Sequence, residues 1–216
     1  MTKRRATPRK SARTRPEFVH QFLIILSGTD PLVWRRIQVP LTYSFWDLHV
    51  AIQDAMGWLD YHLHEFRLLD AKNTIQTIGI PIDEESGQEP RTPSWRVRVS
   101  DYFNHRQYHP LPTLYVYDFG DDWEHTLVYE DEHPIDDIAA YPRCVAGAGR
   151  CPPEDCGGVH GYIDFLAAVG DDKHPEHESS IEWAGGAFDP DAFDATSVVF
   201  DDPLKRWRKA FERQQR

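Results

Sequence analysis

Two groups of residues in this chain carry donor atoms at spacings that metal ions use. The first is Cys144, Cys151, Cys156 and His160, separated by six, four and three residues. Zinc takes four such ligands in a tetrahedron, and a loop rich in Gly and Pro can wrap that tightly. The short Cys-x-x-Cys pairs of common zinc modules are missing. The competing reading is therefore a rigid loop braced by Pro152 and Pro153, with its thiols buried as small hydrophobes. His125 or His64 would be alternative fourth ligands. The second group mixes imidazoles and carboxylates: His62, His64, Glu65, Asp118, Asp121, Asp122, Glu124 and His125. Brought together, they would make a nitrogen-and-oxygen site suited to Mn, Fe or Zn. With an open coordination position, such a site hydrolyses phosphoesters, and His64, Asp118, Asp122 and His125 are the catalytic candidates. The competing reading is a polar network whose carboxylates cap backbone amides and neutralise Arg35, Arg36 or Arg67.

The densest of these stretches is Tyr117-Asp-Phe-Gly-Asp-Asp-Trp-Glu-His125, which lies between the apolar runs 114–116 and 126–129. That pattern predicts two antiparallel strands joined at Asp118–Asp122, with Gly120 supplying the unusual backbone angle. Phe18–Leu26 is apolar on both faces in its second half, which predicts a central, covered strand. Val33–Val39 alternates and predicts its partner, stopped by Pro40. Arg35 and Arg36 point to opposite faces of that strand, so one of them lies under a packed layer and needs a carboxylate. Ser44 with Asp47 three residues on predicts a capped helix. Its stripe is Phe45, Leu48, Ile52, Ala55 and Met56, and Gly57 ends it. His49 beside the stripe reads as a packing residue. Leu63–Leu69 predicts a strand on which His62 and His64 share a face, the spacing of two ligands.

Other segments read less regularly. Residues 74–82 and 95–99 predict short strands, and 83–93 a surface loop. The run from Cys144 to about Val159 is loop by its Gly and Pro content. A helix with Tyr162, Phe165, Leu166 and Val169 follows, then a second helix to about Trp183. His174 and His177 on that second helix read as solvated. Residues 203–216 predict a basic helical tail with Trp207 and Phe211 on one side.

Composition narrows the function. No apolar run approaches a membrane span, and three cysteines do not make a disulfide framework, so a cytoplasmic protein with no membrane partner is expected. The net charge is −11, yet residues 1–16 hold seven Lys/Arg and no acid, leaving −18 on the rest. A body that acidic repels phosphate backbones. Residues 1–16 read as a disordered basic arm, and any nucleic-acid contact through it would be weak, non-specific and salt-sensitive. Asp118-Phe-Gly120 matches the kinase magnesium triplet, but no phosphate loop, His-Arg-Asp loop, nucleophile elbow or dinucleotide fingerprint accompanies it.

Six uncommon motifs occur in order: Pro31–Pro40, Trp58–Phe66, Tyr117–His125, Tyr141-Pro-Arg-Cys144, Cys151-Pro-Pro-Glu-Asp-Cys-Gly-Gly158 and Phe188-Asp-Pro-Asp-Ala-Phe193. In these the chain resembles the plasmid pRiA4b open-reading-frame-three-like family over roughly residues 17–200. Some members of that family sit on plasmids or travel with insertion elements, where one type is labelled a resolvase. No recombinase signature is present in this chain. The resemblance implies a single α+β domain, a mostly antiparallel sheet packed with several helices, between the basic arm and the tail at 201–216.

Three functional readings follow. The first is a binding or interaction module in which loops 117–125 and 144–160 make one surface for a protein partner and the basic arm tethers it to an acidic partner, with Arg35, Arg36, Trp123 and Glu124 as binding side chains. The second is the metal-dependent hydrolase described above. The third is a nucleic-acid accessory protein acting through residues 1–16.

Overall fold

A computed structural model describes residues 18–69, 74–82, 91–104 and 113–212. The basic arm, most of the 83–93 loop and the end of the tail lie outside them.

Eight strands form one sheet: β1 Phe18–Leu26, β2 Trp34–Pro40, β3 His64–Leu69, β4 Ile75–Gly79, β5 Thr92–Pro93, β6 Thr113–Tyr117, β7 Trp123–Pro134 and β8 Arg143–Ala148. Their spatial order is β5-β4-β3-β6-β7-β1-β2-β8. Every pairing is antiparallel except β4 with β5. With helices α1 Phe45–Met56, α2 Gly158–Gly170, α3 His177–Trp183 and α4 Pro203–Trp207, the fold is α+β, as the sequence predicts.

β1 is central, but only one of its faces is sealed. Phe22, Ile24 and Leu26 are buried, while Leu23 and Ile25 on the other side are half-buried. α1 covers the sealed face with Phe45, Leu48, Ile52, Ala55 and Met56. Its capping box forms as predicted, Ser44 and Asp47 exchanging side-chain-to-backbone bonds, and Gly57 ends it at φ 91°. The tail helix α4 lies on α1: Trp46 Nε1 donates to Pro203 O at 3.0 Å, and Phe211 packs on Trp46 and Trp95.

Three local expectations are corrected. Residues 94–96 and 99–101 are 3-10 turns rather than a strand, and Arg98 between them makes an isolated bridge to Ser44. Arg143–Ala148 is a strand paired with β2, not a loop. Its glycine serves packing: a Cβ on Gly147 would collide with the Phe193 ring and lie 2.8 Å from Trp34 O. Gly120 does not supply the left-handed angle of the β6–β7 hairpin. Asp118 (φ 56°) and Asp122 (φ 54°) do. Asp tolerates that region because its short carboxylate bonds the local backbone; here Gly120 N–H donates to Asp118 Oδ1 at 2.9 Å.

The antiparallel register collects four loops at one end of the sheet. Leu26 closes β1 opposite His125 at the start of β7, Trp34 opens β2 opposite Ala148, and His64 opens β3 opposite Tyr117. The segments 27–33, 57–63, 118–122 and 149–157 therefore emerge side by side. Among the described residues, no helix is long and apolar enough to cross a membrane.

Candidate functional site

The loop-bearing end is held by bonds between loops. Trp58 Nε1 donates to Pro152 O at 2.9 Å, Leu59 N–H to Glu154 Oε1 at 2.6 Å, and Gly157 N–H to Asp121 Oδ2 at 3.0 Å. Tyr117 OH accepts from Tyr61 N–H at 3.0 Å and donates to Glu154 at 3.2 Å. Burial raises the pKa values of Glu154 and Tyr117. The hairpin reaches the cysteine-bearing loop closely enough that a Cβ on Gly158 would overlap Asp121 O. Four non-glycine residues with left-handed backbone occur among the described residues: Asp60, Asp118, Asp122 and Asp155. All four are aspartates on these loops.

At the centre of this end stand His62, Asp118 and Asp155. His62 Nε2 lies 2.9 Å from Asp155 Oδ1 and 3.5 Å from Asp118 Oδ2. One ligand atom from each residue falls within 4.8 Å of the others, the only such trio of His, Cys, Asp or Glu among the described residues. Around it are exposed apolar side chains: Leu59 at 59%, Tyr61 at 66%, Leu63 at 43% and Phe119 at 39% exposure.

The catalytic set read from sequence is not brought together. Asp118 reaches the surface cluster, and Asp122 is exposed on the hairpin. His64 and His125 are buried beneath it. The His64 ring stacks on His49 with centroids 3.5 Å apart. His49 is a buried polar hub, with Nδ1 2.8 Å from Tyr115 OH and Nε2 2.8 Å from Asp60 Oδ1. His125 Nδ1 donates to Trp123 O at 3.0 Å, and its ring edge meets Trp58. Burial pushes His125 down to about 4 and holds His64 well below the ordinary imidazole value. The paired histidines thus part: His64 starts β3 and faces the core, while His62 precedes the strand and faces the loops.

No three of Cys144, Cys151, Cys156 and His160 bring their donor atoms within 4.8 Å of one another. The sulfurs pack against the core, and Cys144 Sγ donates to Ala146 O at 3.4 Å. Burial raises all three thiols, Cys156 to about 12, although Arg35 pulls Cys144 and Cys151 the other way. His160 is exposed on α2.

Of the binding side chains expected from sequence, Arg35 and Trp123 are buried. Arg35 has no carboxylate partner among the described residues. Its guanidinium donates to four backbone carbonyls, Trp34, Ala55 and Ala148 at 2.8 Å and Gly149 at 2.9 Å, and it lies 3.6 Å from the Phe193 ring centre. It thereby ties the start of β2 to the ends of α1 and β8 through their backbone carbonyls. Arg36, on the open face, grips Glu130 with two nitrogens. Glu124 is half-buried on β7. His174 and His177 make local contacts, accepting from Glu176 N–H and lying 2.9 Å from Ala168 O respectively.

Sequence reasoning missed Asp155, Glu154 and Asp60. The only available signal was an acid beside Gly157-Gly158 in a Pro-rich run, a position whose backbone suits Asp.

Fold and site define an α+β protein with an acidic, apolar-rimmed loop cluster at one end of an antiparallel sheet. The family model for plasmid pRiA4b ORF-3-like proteins matches residues 19–197, and the chain belongs to that family. It is similar to the uncharacterized protein y4hQ of Sinorhizobium fredii, with 37% identity over 191 residues, 87% of this chain and 93% of y4hQ. It is also similar to the crystal structure of MM3350 from Methanosarcina mazei Go1, a protein of unknown function. That match has a TM-score of 0.77 and 40% identity, covering 86% of this chain and 100% of MM3350.

Proposed function

We propose that the chain is a binding module whose recognition surface is the loop-bearing end of the sheet. One observation carries this reading. Five of the twelve large apolar side chains exposed in the described residues (Leu32, Leu59, Tyr61, Leu63 and Phe119) sit on three neighbouring loops there. Exposed apolar side chains grouped around a polar centre mark interaction sites, whereas scattered ones need no explanation. The loops are cross-bonded, so little ordering entropy opposes docking. Asp121, Asp122, Glu154 and Asp155 lie among the apolar groups, so the fitting partner is a protein segment that mixes basic with apolar residues. The three free thiols suit work in a reducing compartment such as the cytoplasm.

A photo-crosslinking amino acid placed at position 61 or 119 in cells should give discrete adducts. The same probe at Ile75 or Ile138, both exposed at the other end of the sheet, should give none. Equal labelling at both ends, or none at 61 and 119, would overturn the reading.

A further inference from the structure

We propose that His62, Asp118 and Asp155 form a divalent-cation site for a first-row ion such as Mn2+, with its remaining positions open to water or a ligand atom. The proposal holds whether or not the surrounding surface takes a protein partner. Its geometry is that of ligands awaiting an ion. Bonds of about 2.1 Å at right angles set neighbouring donors about 3 Å apart, and His62 Nε2 lies 2.9 Å from Asp155 Oδ1 and 3.5 Å from Asp118 Oδ2.

Two further observations show that these atoms lack other employment. The Asp118 side chain is only 10% exposed. Its Oδ1 accepts from Gly120 N–H, and Oδ2 lies 3.5 Å from His62 Nε2. His62 Nε2 is sealed from solvent, yet it makes no hydrogen bond of acceptable geometry despite the Asp155 oxygen beside it. A ring nitrogen sealed from solvent without a hydrogen-bond partner is costly unless a third group joins it. One imidazole and two carboxylates favour a borderline or hard ion over a soft one. The three donors come from three separate loops, so a bound ion would also fasten the end of the sheet.

Mn2+ is the discriminating probe, because the three cysteines are poor ligands for it. The chelator-stripped full chain would be titrated with MnCl2, with free Mn2+ read by its electron paramagnetic resonance signal. One equivalent should bind, and the melting temperature should rise with added Mn2+. Asp155→Asn and His62→Gln should each weaken binding by about 10-fold or more without changing the metal-free melting temperature. His160→Gln, also exposed, should bind as the parent does. No saturable binding up to about 1 mM, or equal binding in Asp155→Asn and His62→Gln, would overturn the site.

Discussion

The buried histidine belt and the loop cluster above it use the same residue types for opposite ends. In the belt, His49, His64 and His125 lie against Tyr115, Trp46 and Trp58, out of contact with water. In the cluster, His62 stands at the surface with two aspartates. Only Leu63 separates His62 from His64, yet one is placed to meet a ligand and the other to fill a core. Imidazole next to a carboxylate therefore does not by itself mean a site. His49 with Asp60 has that pairing and is enclosed by packing. The belt should answer to perturbations of stability, and the cluster to perturbations of binding.

Acid should expose the difference most strongly. Burial depresses His125 of the belt, and His20 on β1 outside it, to about 4 from an unfolded value of 6.5. Below pH 6.5 the unfolded chain takes up protons that the folded chain refuses, so stability falls as pH drops from 6.5 toward 4. Each group accounts for on the order of 3 kcal/mol over that interval, and His64 acts in the same direction. Asp54 and Glu154, whose values burial raises, work in the opposite sense by binding protons more readily when folded. Denaturant titrations at pH 7 and pH 4.5 would measure the net loss, and a flat profile would mean that the belt is hydrated.

Arg35→Ala should rank next, at roughly 3–5 kcal/mol. It removes the donor to four carbonyl groups and the packing on Phe193. Arg36→Ala, one residue along and on the open face, should cost no more than about 1 kcal/mol. Equal losses at the two positions would break the contrast between the sealed and open faces of β2. His49→Phe should cost about 2–3 kcal/mol, because Tyr115 OH and Asp60 each lose a partner while the ring volume is kept.

How much of this was legible follows from the range of the interactions. The capping box of α1, the β6–β7 hairpin and the alternation of β2 depend on neighbours a few residues apart, and the sequence carries them directly. β8 does not. Gly147 reads as a loop residue until Phe193, far along the chain, is seen to need the space. That one of Arg35 and Arg36 is buried was legible, but which one it is and its partners were not, because backbone carbonyls leave no mark in side-chain chemistry. The surface trio was half legible. Asp118 and His62 stand in conspicuous runs, whereas Asp155 meets them only because the register brings β8 and β3 to the same end as the hairpin. The cysteines misled because spacing says nothing of direction, and each sulfur packs inward.

The smallest expected effect sharpens the comparison most. Tyr61→Ser and Phe119→Ser, singly or together, should change stability at pH 7 by no more than about 1 kcal/mol per site. Tyr61 is 66% and Phe119 39% exposed, and the loops carrying them are held by backbone groups, such as Tyr61 N–H on Tyr117 OH. Phe119 also lies 4.8 Å from the Arg91 guanidinium, a contact of the kind that contributes about 0.5–1 kcal/mol when exposed. Phe119→Ser should therefore show the larger shift of the two. A loss above about 2 kcal/mol at either site would assign these side chains to the fold rather than to a partner. The apolar rim would then belong with the belt beneath it.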